Sequence, residues 1–152
     1  MLSEAFDDLR KNCLALTEGE DDAIALMATV AGEFYNSIDG FDWVGFYRVT
    51  SPEMLTIGPY QGGHGCLRIA FDQGVCGAAA RLRQSQRVDD VDAFPGHIAC
   101  SSSTRSELVV PCFNGKGEVI AVFDIDSDQP AFFSPDHQQF CEDLMAEIFG
   151  RL

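Results

Sequence analysis

The sequence predicts an α+β fold: a mainly antiparallel sheet with helices grouped on one face and a middle insertion over the other. Three observations carry this. Both ends of the chain place apolar residues at helical spacing. The stretches from Phe41 to Tyr60 and from Ser106 to Ser127 turn to β-branched and aromatic residues interrupted by short turns. Between them lies one alanine-rich run. With 152 residues, 46% of them apolar, the chain is expected to form one domain, residues 1–152, around a single core.

At the N-terminus Phe6, Leu9, Cys13, Leu14 and Leu16 recur as one helical stripe, and Ser3 followed by acids is the expected N-cap. "TEGEDDAIALMATVAGEFYNSI" repeats the pattern, with Thr17 as its cap and Ile24, Met27, Ala28, Ala31 and Phe34 along one side. "FDWVGFYRVT" and "EMLTIGPY" form a hairpin turned by "SPE"; "CLRIAF" is a further short strand. "GVCGAAARLRQ" is a short helix begun near Gly74. "QRVDDV" is an edge strand and "DAFPGHIAC" a loop. A second hairpin, "SELVVPCFNGKGEVIAVFDIDS", turns around Asn114-Gly115-Lys116-Gly117. "SPDHQQFCEDLMAEIFGRL" opens on a cap and a proline and closes the chain as a helix.

A net charge of −14 argues against a nucleic-acid partner, which needs a basic face to displace counterions. The start "MLSEAFDDLRKNCLAL" has neither a basic n-region nor an uninterrupted apolar core. No later segment approaches the roughly 18 apolar residues of a membrane span. A cytoplasmic protein is therefore expected. In a reducing compartment its six cysteines are core filler, ligands or reactive thiols rather than a disulfide framework.

Position sorts them. Cys13 and Cys141 fall on helix faces among Leu and Phe, and Cys112 lies within a strand, where a free thiol behaves as a small hydrophobe. Cys66, Cys76 and Cys100 sit at element boundaries. The last two precede residues that could open a helix, where free N–H groups stabilise a thiolate, so they are the reactive candidates. Zinc is a rival use of His64, Cys66, Cys76, His97 and Cys100, but neither the paired cysteine spacing nor the paired histidine arm of a closed site is present.

Glu107 begins one strand, and Asp124 and Asp126 stand two apart on one face of the next. An isolated pair of this kind is usually solvated. Here "VIAVFDID" is apolar enough to be a central strand, so the acids border a covered cavity. Carboxyls crowded there hold raised pKa values and suit a general acid or a cage for a cation. Trp43 and Tyr47 share a strand face, as core packing or as an aromatic wall for a small ligand.

The segments "GPYQGGHGCLRI", "GVCGAAA", "DVDAFPGHIAC", "SELVVP" and "VFDIDS" resemble, in order and spacing, the GAF-domain free methionine-R-sulfoxide reductases. The resemblance runs from about Trp43 into the final helix. It implies a GAF fold and reduction of free L-methionine-R-sulfoxide to methionine through a cysteine sulfenic acid and an intramolecular disulfide. By it Cys100 matches the catalytic cysteine, Cys66 the principal resolving one and Cys76 an auxiliary one. Glu107, Asp124 and Asp126 match pocket acids, and Trp43 and Tyr47 the aromatics near the substrate. No cofactor or metal is implied, only an external dithiol such as thioredoxin; some relatives form homodimers. The chain departs from the pattern after Cys100, where "CSSSTRSE" has Ser101 for the usual Asp and Arg105 for the usual Asn. A GAF-type small-molecule sensor is the alternative, disfavoured because such modules usually accompany an output domain and do not need three boundary cysteines.

Overall fold

Alternation along three central strands sets the architecture. The structure, a computed structural model, describes residues 2–152. Its elements are helices α1 (Leu2–Leu16) and α2 (Ala23–Ser37), strands β1 (Trp43–Ser51), β2 (Met54–Gln61) and β3 (Arg68–Ala70), and helix α3 (Gly74–Leu82). Strand β4 (Gln86–Val88), a 3₁₀ turn (Val91–Ala93), strands β5 (Ser106–Phe113) and β6 (Val119–Ser127) and helix α4 (Pro135–Phe149) follow. The strands pair antiparallel in the order β3-β2-β1-β6-β5-β4.

On one face Val44, Phe46, Leu108, Val110, Phe123 and Ile125 build the larger core with α1, α2 and α4. The residues between them, Trp43, Tyr47, Val109 and Val122, point the other way and meet α3 through Val75, Cys76, Ala79 and Ala80. The period-2 pattern thus puts three helices behind the sheet and the inserted α3 in front, the predicted α+β arrangement. Cys13, Cys112 and Cys141 are all buried in the larger core.

Several local expectations are corrected. Helix α1 already begins at Leu2, so Ser3 lies inside its first turn instead of capping it. Thr17 closes α1, its hydroxyl donating to the Cys13 carbonyl at 2.7 Å, and Asp22 caps α2 by accepting from the Ala25 amide at 2.9 Å. The buried stripe of α2 is Leu26, Met27, Val30, Ala31 and Phe34. Ile24 and Ala28, four residues apart, form its solvent-facing flank, and Leu16 at the end of α1 is also exposed. At the other end of the chain the expected cap of α4 is present. The Ser134 hydroxyl accepts from the His137 amide, and His137 Nδ1 accepts from the Ser134 amide.

Helix α3 sits on the sheet because residue 77 has no side chain. A Cβ there would lie 2.7 Å from the Ala70 carbonyl oxygen and 2.8 Å from that of Phe71. Backbone cannot yield, so Gly77→Ala must lift the helix. The expected cost is about 1–3 kcal/mol, a fall in Tm of roughly 3–10 °C. Gly32→Ala, in α2 with nothing within 4 Å of the added carbon, should stabilise by about 0.5–1 kcal/mol. Thermal melts of the two variants test this, and a Gly77→Ala protein as stable as the parent would refute the close approach.

Candidate active site

Strand register assembles the site. Trp43, Asp126 and Glu107 lie side by side across β1, β6 and β5, and the next rung of the same face carries Gly45, Asp124 and Val109. Gly45 leaves room for the aromatic wall: a Cβ there would fall 2.4 Å from the Tyr60 Cβ and 2.7 Å from the Trp43 ring. The indole stacks between Tyr60 and Tyr47, with ring centroids 5.2 and 5.9 Å away. Its Nε1–H donates to the Gly63 carbonyl at 2.8 Å, which pins the glycine loop leading to Cys66.

That loop is tied to a second one. Cys66 and Cys100 are joined by a disulfide across a Cα–Cα distance of 5.2 Å, linking the β2–β3 loop to the segment after the 3₁₀ turn. The second loop is also held at Gly96, whose carbonyl accepts from the Gly74 amide at the start of α3. Together the loops close a cavity of about 40 Å³ over the acids. His64, His97, Ile98, Ser101 and Thr104 also belong to its wall, and no lysine or arginine among the described residues lines it.

Every side chain singled out in the sequence for this chemistry borders the cavity: Trp43, Tyr47, Cys76, Cys100, Glu107, Asp124 and Asp126 line it, and Cys66 is bonded to Cys100. Two local expectations change. Cys100 is followed by irregular loop as far as β5, not by a helix. Cys76 does lie in the first turn of α3, yet it is only 4% exposed. Burial, then the charges of Asp124 and Glu107, push its thiol well above the ordinary range. Low dielectric and like charge outweigh the helix terminus here. Cys100, in contrast, is partly exposed. Of the five residues weighed as zinc ligands, His64, Cys76, His97 and Cys100 line the cavity, and Cys66 is bonded to Cys100.

The acids behave as crowded buried carboxyls. Asp124 is 4% and Glu107 7% exposed. Burial first, then the neighbouring charges of Asp126 and Glu107, raise Asp124 well above the usual carboxylate range; Asp126 is raised by burial and by Glu107. Asp124 Oδ1 and Asp126 Oδ1 are sequestered with no hydrogen-bond partner among the described residues. The Cys76 thiol approaches Glu107 Oε2 at 4.0 Å. The arrangement brings buried carboxyls and a disulfide-bonded cysteine pair together in one cavity.

Comparison with known proteins agrees with this geometry. Residues 17–148 match the GAF domain family. The free methionine-R-sulfoxide reductase of Escherichia coli strain K12 is 36% identical over 146 residues, covering 96% of this chain and 87% of that protein. The chain belongs to the GAF-domain free methionine-R-sulfoxide reductase family. The structure of the Neisseria meningitidis free methionine-R-sulfoxide reductase in complex with its substrate superposes with a TM-score of 0.90 at 37% identity, covering 97% of this chain and 89% of that one. The reduced form of the Staphylococcus aureus fRMsr also gives 0.90, at 35% identity over 95% and 92% of the two chains.

Within this reductase family the divergent loop is accommodated by the fold. Arg105 is exposed and works through its backbone, its amide donating to Ser127 at 2.8 Å and its carbonyl accepting from Val91 at 2.9 Å. A change of side chain there leaves both bonds in place. Ser101 does line the cavity, and its hydroxyl pairs with that of Ser103 at 3.1 Å. Sequence reasoning missed Thr104, which is buried against the site. Its polar surroundings, "SSSTRS", have the composition of a solvated loop.

Proposed function

We propose that this chain reduces free L-methionine-R-sulfoxide to methionine, the activity for which its relatives from Escherichia coli and Saccharomyces cerevisiae are named. The observation that carries the reading is the Cys66–Cys100 disulfide closing an acid-lined cavity. A module that only binds a ligand has no use for a cysteine pair at that place.

Sulfoxide reduction needs a nucleophile at sulfur and a proton for the oxygen. Cys100, partly exposed like Cys66, matches the family's catalytic cysteine and supplies the nucleophile. Asp124, whose carboxyl burial and the neighbouring acids push well above the usual carboxylate range, supplies the acid. Attack at the sulfoxide sulfur transfers its oxygen to Cys100, releasing methionine and leaving a sulfenic acid. The Cys66 thiol then displaces water to form the disulfide, and an external dithiol of the thioredoxin kind exchanges with it to restore both thiols. The balance closes with thiols alone. Cys76 borders the same cavity as an auxiliary thiol, but one held protonated exchanges slowly.

Substrate choice follows from charge. The ammonium of a free amino acid neutralises carboxylates that a peptide-bound residue, lacking that ammonium, would leave unpaired. Trp43 and Tyr47 would flank the substrate. In the disulfide-bonded state about 40 Å³ is available, far below the ~300 Å³ of a typical ligand pocket. Reduction of the disulfide frees the two loops to part and admit substrate.

The test is to incubate the reduced chain with racemic free methionine sulfoxide, or with N-acetylated peptide-bound sulfoxide, and a dithiol. Only the free R epimer should disappear. Equal turnover of free and peptide-bound R-sulfoxide would overturn the charge argument, and no turnover of either would overturn the function.

A further inference from the structure

The cavity also gathers three side chains of metal-ligating type. Cys76 of α3, Glu107 of β5 and Asp124 of β6 place one ligand atom each within 4.8 Å of one another, and all three residues are buried. Asp124 lines this space, and its Oδ1 is buried without a hydrogen-bond partner among the described residues. Among the described residues no arginine or lysine lines the cavity to balance the charge. About 40 Å³ is room enough for an ion, since a water-sized sphere needs roughly 10–15 Å³ by the same measure. The residues are 31 and 17 positions apart in sequence, so no metal-ligand spacing announces them.

We propose that Cys76, Glu107 and Asp124 bind one divalent cation of borderline or soft character, zinc or cadmium, in competition with the ammonium of an amino acid. The thiolate excludes magnesium and calcium, which take oxygen ligands, and selects metals that bind sulfur and carboxylate together. Binding replaces the Cys76 S–H bond by a metal–sulfur bond, releasing the proton to solvent with no change in oxidation state. A tetrahedral zinc site needs donor separations of about 3.5 Å. The Cys76 Sγ–Glu107 Oε2 distance of 4.0 Å is close to this, and side-chain rotation supplies the remainder. The fourth position is left to water. Only the competition with ammonium rests on the function proposed above; the metal site stands on the geometry alone.

The experiment is a cadmium titration of the full chain in its Cys66–Cys100 disulfide form, without added dithiol, followed by the ultraviolet absorption of the cadmium–thiolate bond. The other free thiols, Cys13, Cys112 and Cys141, are at most 1% exposed in the helical core. One equivalent should bind and develop the absorption, Cys76→Ser should remove it, and zinc should displace cadmium. Asp124→Asn or Glu107→Gln should weaken binding at least about tenfold. Absorption retained in Cys76→Ser, or no binding by a parent chain of normal circular dichroism, would overturn the site. In the Cys66→Ser/Cys100→Ser variant, free methionine should raise the apparent Kd for cadmium. An unchanged Kd would overturn the competition while leaving the metal site standing. Absence of sulfoxide turnover would count against the function alone, because the titration requires none.

Discussion

Replacing Cys100 by serine is expected to abolish methionine formation even in a single turnover, because a serine hydroxyl at neutral pH is no nucleophile for a sulfoxide sulfur. Cys66→Ser should behave differently. One equivalent of methionine should appear quickly, a sulfenic acid should be trappable on Cys100 with dimedone, and thioredoxin-driven turnover should collapse because the bridge between the two loops cannot form. A residual rate that disappears on adding Cys76→Ser would assign a relay to the buried thiol. The structure bonds the two cysteines symmetrically, so chemistry must separate attacker from resolver. Mass spectrometry after one turnover does so: a dimedone label on Cys66 with Cys100 unmodified would reverse the assignment.

Asp124→Asn should lose activity and gain stability. If Asp124 delivers the proton, kcat should fall by roughly 10²–10⁴-fold. The stability sign follows from its raised folded-state pKa. The folded chain then holds the proton more tightly than the unfolded one. The contribution is fully present below the unfolded value of 3.8 and declines as pH rises toward the folded pKa. At neutral and higher pH the buried carboxyl is therefore a liability that a neutral amide of the same shape removes. Melts at pH 5 and pH 8 should show Asp124→Asn gaining on the parent chain as pH rises. Parent-like kinetics with no pH-dependent gain would make Asp124 an ordinary charge. The pattern expected is a site that trades stability for function.

How far the sequence reached can be judged residue by residue. Element order, the two hairpins, the helix from Gly74 and the cap of α4 were legible because each depends on neighbours within a few positions. The errors at Ser3, Thr17 and Ile24 were also local. Thr17, Asp21 and Asp22 all precede α2, and which of them caps it depends on how the preceding turn docks, which a one-dimensional pattern does not contain.

The sequence by itself determined which face of β1, β5 and β6 each side chain occupies, since a period of two leaves no choice once the apolar residues are buried. It therefore put Trp43 and Tyr47 together on one strand, and Asp124 and Asp126 together on another. Only the tertiary structure decided that these faces adjoin in register, and that α3 and two loops close over them. The same closure decided the character of Cys76. A position at a helix start favours a thiolate, but burial beside Asp124 and Glu107 holds the proton on, because solvation and charge are properties of neighbours brought from distant parts of the chain.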